Sequence, residues 1–243
     1  MAIPPYMHPF VLTVAPAERH RQGNIDVHTA RVPAGGPRPV VVFVHGGPLP
    51  GDVEPKPRDW PAFLGYGALA VASGVVGVTV DHRLHGITDY SIAAQDVALA
   101  VEQARGVDGV DPDRVGLWFF SGGGLLAADW LAAPPLWLRC LAMTYPVLAP
   151  PPGWDVEARF DAVAAVSTAP KLPILLTRVG HEYPDFARTQ DAFVDTARAK
   201  GVALDVIEVP DGQHGFDSLD HTKESRAAVT QAMTWVAAAL RER

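Results

Sequence analysis

Residues 115–124 read Val-Gly-Leu-Trp-Phe-Phe-Ser-Gly-Gly-Gly. An apolar run ends on one hydroxyl, Ser121, and three glycines follow before a helix-like stretch from Leu125 to Leu131. A serine on a strand-to-helix turn is exposed as a nucleophile. The turn needs neighbours without a Cβ, and the helix aims its N-terminal N–H groups and positive dipole end back at the serine. A serine hydroxyl attacks only when a base takes its proton. His214, in Gly-Gln-His-Gly, is the candidate base, because imidazole with an ordinary pKa of about 6.5 accepts a proton at neutral pH and returns it. The competing reading of His214 is a cap on the turn before the last helix.

An acid must orient that imidazole. Glu182 is the candidate, with Asp185 as the alternative, although Asp185 equally suits an N-cap of the helix after it. Asp211 stands three residues before His214 and suits the shaping of its turn. Stabilising an oxyanion takes two N–H groups. The backbone of Gly122 supplies one. The His45-Gly46-Gly47-Pro48 loop supplies the other, from Gly47 or alternatively Gly46, since Pro48 has no N–H. Pro48, Phe120 and Tyr145 are the candidate pocket residues.

The elements that must position these groups alternate strand and helix through most of the chain. Phe10–Val14, Ile25–Val32 and Val40–Val44 read as strands, with Gly35-Gly36-Pro37 as a turn. A helix is expected over Asp59–Ser73, a buried strand over Val75–Asp81 and a helix over Ser91–Arg105. Asp111-Pro112-Asp113 reads as a turn delivering the strand Val115–Phe120. Further strands are expected at Arg139–Tyr145, Leu172–Thr177 and Leu204–Val209, and further helices at Val156–Val166 and Asp185–Lys200. Val229, Met233, Val236 and Leu240 mark one face of a final helix, capped by Asp220 or Thr222. Alternation of this kind implies an α/β fold, a mostly parallel eight-stranded sheet with helices on both faces and an antiparallel N-terminal edge. Ligands then bind beyond the carboxyl ends of the strands, where the His-Gly-Gly loop, Ser121, Glu182 and His214 all fall.

In that order, glycine-rich loop, serine, acid and histidine, the chain resembles an α/β-hydrolase of the dienelactone-hydrolase-like and carboxylesterase-like group over nearly its whole length. Asp-Pro-Asp-Arg-Val-Gly-Leu-Trp before the serine and Val-Asp-His-Arg-Leu at residues 80–84 resemble stretches common in that group. The resemblance implies a single α/β-hydrolase domain over residues 1–243 with no large cap, and a cofactor-free serine hydrolase cleaving a small carboxylic ester through an acyl-enzyme. It also implies that Arg83 holds a loop by hydrogen bonds. Two departures stand out. Phe119 occupies a position where the group's Gly-x-Ser-x-Gly has glycine, and Glu182 stands where the group usually has Asp. Some dienelactone hydrolases use a cysteine nucleophile, but the turn here holds serine, and Cys140 reads as a buried small residue.

The remaining sequence narrows the classes. The chain has 243 residues, 48% hydrophobic and 19% charged, with net charge −7, which fits a globular domain with a sizeable core. With no Lys/Arg-rich run, nucleic acid and anionic membranes are poor partners. No apolar run is long enough to span a bilayer, and the N-terminus lacks the pattern of a signal peptide. With one cysteine no internal disulfide forms, and a cytoplasmic location is the expectation. Asp81, His82 and His85 form a polar loop and not a metal site. The expected partner is a small-molecule ester, and a homodimer is left open. Two further readings are a peptidase or thioesterase of the same fold and a non-catalytic α/β-hydrolase-like binding protein, which Phe119 and the choice of acid motivate.

Overall fold

The computed structural model describes residues 3–30, 35–169 and 171–242. The Val-rich runs at Arg38–Val44 (β3) and Val76–Val80 (β4) are almost wholly buried, as strands covered on both faces must be. Glu18–Gln22 (β1) and Ile25–Thr29 (β2) precede them, and Val110–Phe120 (β5), Leu138–Thr144 (β6), Ile174–His181 (β7) and Leu204–Gln213 (β8) follow. They form one eight-stranded sheet in the order β1-β2-β4-β3-β5-β6-β7-β8. The β1–β2 and β2–β4 pairs are antiparallel and the rest parallel, so the antiparallel edge is N-terminal, as expected.

The helices are Pro61–Ala72 (α1), Tyr90–Arg105 (α2), Ala127–Ala132 (α3), Ala162–Ala165 (α4), Pro184–Ala199 (α5), Phe216–Leu219 (α6) and Lys223–Ala239 (α7). Strand residues of alternating parity feed two cores. On one face Leu117, Phe119 and Met143 pack with Val97 and Val101 of α2 and Phe193 of α5. On the other Phe43, Trp118 and Phe120 pack with Phe63 and Tyr66 of α1 and Met233 and Val236 of α7.

Several local expectations are corrected. Phe10–Val14 is not a strand. Phe10 and Val11 are buried against α1 and α6, where the Val11 N–H donates to the Asp217 carbonyl over 2.9 Å. The first strand is instead Glu18–Gln22, whose exposed polar residues carry no apolar alternation; its hairpin with β2 turns at Gly23-Asn24, with Gly23 at φ +57°. The strand expected to reach Val32 ends at Thr29, and residues 31–34 lie outside the described residues. Asp111-Pro112-Asp113 is not a separate turn but a bulge within β5, where the register shifts between Arg38 and Val40 of β3. The helix expected at Val156–Val166 shrinks to α4 followed by a 3-10 turn at Val166–Thr168. At the last helix the cap is Thr222, which accepts from the Ser225 N–H at 3.0 Å.

Candidate active site

Ser121 follows the last residue of β5 and carries the left-handed backbone itself, at φ +50°, which is costly for a non-glycine residue. The chain then runs through a 3-10 turn, Ser121–Leu126, before α3, so the expected helix starts at the serine in a tighter form. None of the three glycines has a positive φ; their reason is close packing. A Cβ on Gly122 would lie 1.8 Å from the Gly47 carbonyl oxygen, one on Gly123 2.5 Å from that of His45, and one on Gly124 2.5 Å from that of Val147. Two loops rest directly on the turn. Phe119 does not crowd it: the side chain is fully buried on the opposite face of the sheet, while Phe120 faces the site.

Glu182 and His214 are neighbours because β7 and β8 are. His181 pairs with Gln213, and the next residue on each strand is the acid or the histidine. Between Val179 and His181 the register shifts, and a Cβ on Gly180 would stand 1.9 Å from the Pro210 carbonyl oxygen. The bulge closes only with glycine there. Asp220 ties down the approach to His214 by accepting from the Gln213 N–H at 2.8 Å and its side-chain amide at 2.6 Å; Asp211, expected to do so, does not.

The side chains meet in a chain of hydrogen bonds. His214 Nδ1 lies 2.8 Å from Glu182 Oε1, and His214 Nε2 lies 2.8 Å from Ser121 Oγ. The carboxylate only accepts, so Nδ1 carries the hydrogen and Nε2 is free to accept the serine O–H. The Glu182 side chain is 2% exposed. Its oxygens also accept from the Tyr183 N–H at 2.8 Å and the Gln190 side chain at 3.3 Å. Asp185, the alternative acid, lies in the first turn of α5, half exposed and paired with Arg188, away from the histidine.

On the other side of Ser121 lies the His45–Pro48 loop. A Cβ on Gly46 would stand 2.8 Å from Ser121 Cβ. His45 Nδ1 bonds the Gly46 carbonyl, and the Gly47 N–H donates to no backbone or side-chain acceptor among the described residues. The Gly122 N–H opens a 3-10 turn, where N–H groups lack a partner within the helix. Tyr90 donates to the Gly122 carbonyl at 3.0 Å and so holds that peptide from behind.

Above Ser121 opens a cavity of about 560 Å³. Pro48, Phe120 and Tyr145 line it, and so do Tyr6, Trp60, Phe63 and Tyr183. These four were not foreseen. Tyr6 belongs to the N-terminal segment, where nothing in the local pattern points to a site, and its ring stacks on Trp60 at 4.5 Å. Asp217 was also missed. This carboxylate, 1% exposed, accepts from Tyr66 at 2.9 Å and from Tyr145 at 2.8 and 2.9 Å. Burial raises its pKa above the usual carboxylate value, and the two hydroxyls oppose that. Tyr145, itself at φ +38°, packs its ring 4.7 Å from that of His214. The only signal was Asp217's place three residues after His214.

The other singled-out residues have structural partners. Arg83 makes two side-chain hydrogen bonds to Asp96 at 2.7 and 2.9 Å. Asp81 pairs with Arg58 at 2.7 Å, and His85 donates to the Leu49 carbonyl at 3.1 Å. Burial pushes the Cys140 thiol up to about 12.

No protein-family model and no curated protein matches the sequence. Solved structures do match. A thermostable esterase from Pseudomonas putida superposes with TM-score 0.73 at 19% identity, over 100% of this chain and 86% of that one. The fold is the α/β-hydrolase fold. A thermophilic carboxylesterase cloned from a metagenomic library matches at TM-score 0.72 and 19% identity, over 96% of this chain and 92% of that one. Carboxyl esterase 2 from the mycorrhizal fungus Tuber melanosporum does so at 0.72 and 16%, over 98% and 92%. Within this α/β-hydrolase fold, Ser121, Glu182 and His214 gather at the carboxyl ends of β5, β7 and β8, where such sheets hold their ligands.

Proposed function

We propose that this protein is a serine hydrolase of small, uncharged carboxylic esters. The observation that carries this reading is the unbroken hydrogen-bond chain from Ser121 through His214 to Glu182 beneath an apolar cavity. Ser121 Oγ attacks the ester carbonyl carbon as His214 Nε2 takes its proton. Glu182 holds the imidazole in the Nδ1–H tautomer and stabilises the imidazolium. The N–H groups of Gly47 and Gly122 receive the developing oxyanion. His214 then returns its proton to the leaving alkoxide, and water, activated by the same imidazole, releases the acid. Apart from His214, Asp217 is the one acidic or basic side chain among the described residues lining the cavity, and it is turned onto two tyrosines. Neutral substrates with an apolar or aromatic group suit such walls.

A fluorophosphonate probe tests the reading. It is expected to label Ser121 stoichiometrically, with both labelling and p-nitrophenyl acetate hydrolysis lost in Ser121→Ala. Hydrolysis at full rate by Ser121→Ala would overturn it, and a wild-type chain that takes neither probe nor ester would favour the non-catalytic binding protein.

A further inference from the structure

The Gly46-Gly47-Pro48 stretch belongs to no helix or strand, so something else must hold its backbone still. Among the described residues, the hydrogen bonds from its flanks, His45 and Leu49, to other segments all go to residues 82–85. At the near end His82 Nε2 bonds the His45 carbonyl at 3.0 Å. At the far end the Leu49 N–H donates to the Leu84 carbonyl at 2.9 Å, and His85 Nδ1 donates to the Leu49 carbonyl. Leu84 fills the space between, 3.1 Å from where a Gly47 Cβ would be.

The near end is a pair of imidazoles. The rings of His45 and His82 stack at 3.7 Å with 12° between planes, and both residues are buried. Each ring faces a carbonyl, which only accepts, so His82 carries its hydrogen on Nε2 and His45 on Nδ1. His45 gives that hydrogen to the Gly46 carbonyl. The Gly46–Gly47 peptide is trans, so the Gly47 N–H points the opposite way from that carbonyl. His82 thus holds the His45 carbonyl by a bond and the His45 ring by its face, while the ring sets the peptide that carries the Gly47 N–H. A displacement of about 1 Å in such a donor costs on the order of 100-fold in rate.

We propose that His82 is a positioning residue for the oxyanion site, aiming the Gly47 N–H through the stacked ring and carbonyl of His45. The proposal rests on the reading of Ser121 as nucleophile. Both imidazoles stay neutral at the pH of assay, since burial holds His82 down to about 4 and His45 well below its ordinary value. Asp96 opposes this for His82, and His85 reinforces it for both.

Two variants and one wild-type measurement test it. His82→Phe keeps a ring for stacking and removes the donor, whereas His82→Gln keeps a donor amide. His82→Phe is expected to lower kcat for p-nitrophenyl acetate about 10- to 100-fold with KM within about twofold. Its affinity for a trifluoromethyl ketone, which presents an oxyanion once Ser121 adds, falls by the same factor. His82→Gln recovers most of both. Unchanged kcat in His82→Phe overturns the proposal, as does a parallel loss of kcat, KM and melting temperature that His82→Gln fails to rescue. Without any variant, imidazole ¹⁵N spectra of the wild-type chain are expected to shift at His82 Nε2 when the ketone binds, and an unmoved resonance overturns it too. Activity surviving in Ser121→Ala breaks the nucleophile reading instead, whereas a dead Ser121→Ala beside a fully active His82→Phe breaks only this one.

Discussion

At the scale of single residues, Glu182 and Asp185 illustrate how three positions separate two environments. Glu182 leaves β7 buried and aimed at His214, whereas Asp185 has entered α5 and pairs with Arg188 on the surface. Glu182→Gln keeps the shape and removes the charge that balances an imidazolium. It is expected to lower kcat by about 10³-fold or more, as neutralising the acid of a triad does, with little change in KM. Asp185→Asn is expected to stay within twofold, because an exposed pair one helical turn apart contributes only about 0.5 kcal/mol. Steady-state kinetics on both variants check this, and a larger loss in Asp185→Asn would move the role to that residue. Phe119 does not crowd the turn, because of the alternation of a strand. Its side chain points into the α2-side core, and the turn after it is made at the serine.

At the scale of elements, the site depends on how closely pairs of segments approach. β7 and β8 place acid and histidine side by side because Gly180 admits the Pro210 carbonyl. Gly180→Ala puts a Cβ against backbone and must push the bulge open. Overpacking of this kind costs about 1–3 kcal/mol. For a chain this long that amounts to a fall in Tm of roughly 3–10 °C. Because the bulge sits two residues before Glu182, turnover is expected to fall together with Tm. Thermal unfolding and a kcat measurement on the same sample test the coupling; an active variant with a lowered Tm would place the bulge outside the site's support. The β1–β2 hairpin is held differently. Arg21 grips Asp26, which is fully buried, through two bonds of 2.8 Å, and no apolar pattern announces β1.

At the scale of the whole molecule, three histidines are buried neutral: His28, His45 and His82. Burial is the leading cause of the lowered pKa in each, to about 4 for His28 and His82 and well below the ordinary value for His45. The sign follows directly. Between the unfolded value of 6.5 and about 4 the unfolded chain binds protons that the folded chain does not. Stability is therefore fully present above pH 6.5 and is lost as pH falls toward 4. From pH 7 to pH 5 the loss is on the order of 1–2 kcal/mol for each of His28 and His82. Asp81 and Asp217, whose pKa values burial raises, pull the other way. Urea midpoints at pH 7, 6 and 5 should fall steadily, and a flat profile would mean that these rings are protonated in the folded state. Among the described residues no helix is long and apolar enough to cross a membrane.

Much of this protein is written locally. Buried apolar runs, glycine-rich turns and helical spacing determine an α/β sheet, the antiparallel start and the placement of Ser121, Glu182 and His214 just past strand ends, because each depends on side-chain period and turn chemistry within about ten residues. Even there, β1 escaped, since it is polar throughout, and the helix expected over Val156–Val166 came out too long, since α4 begins only after the Asp161 cap, whose side chain accepts from the Ala164 N–H. The tertiary structure decided what depends on distance between segments. It set Glu182, and not Asp185, against His214 through the register of β7 on β8, and it gave the three glycines after Ser121 their reason in two loops resting on them. It also brought Tyr6 and Trp60 to the cavity and stacked His82 behind His45. No local pattern carries these facts, because the contacting residues lie tens of positions apart and meet only when the sheet and its covering helices close around one another.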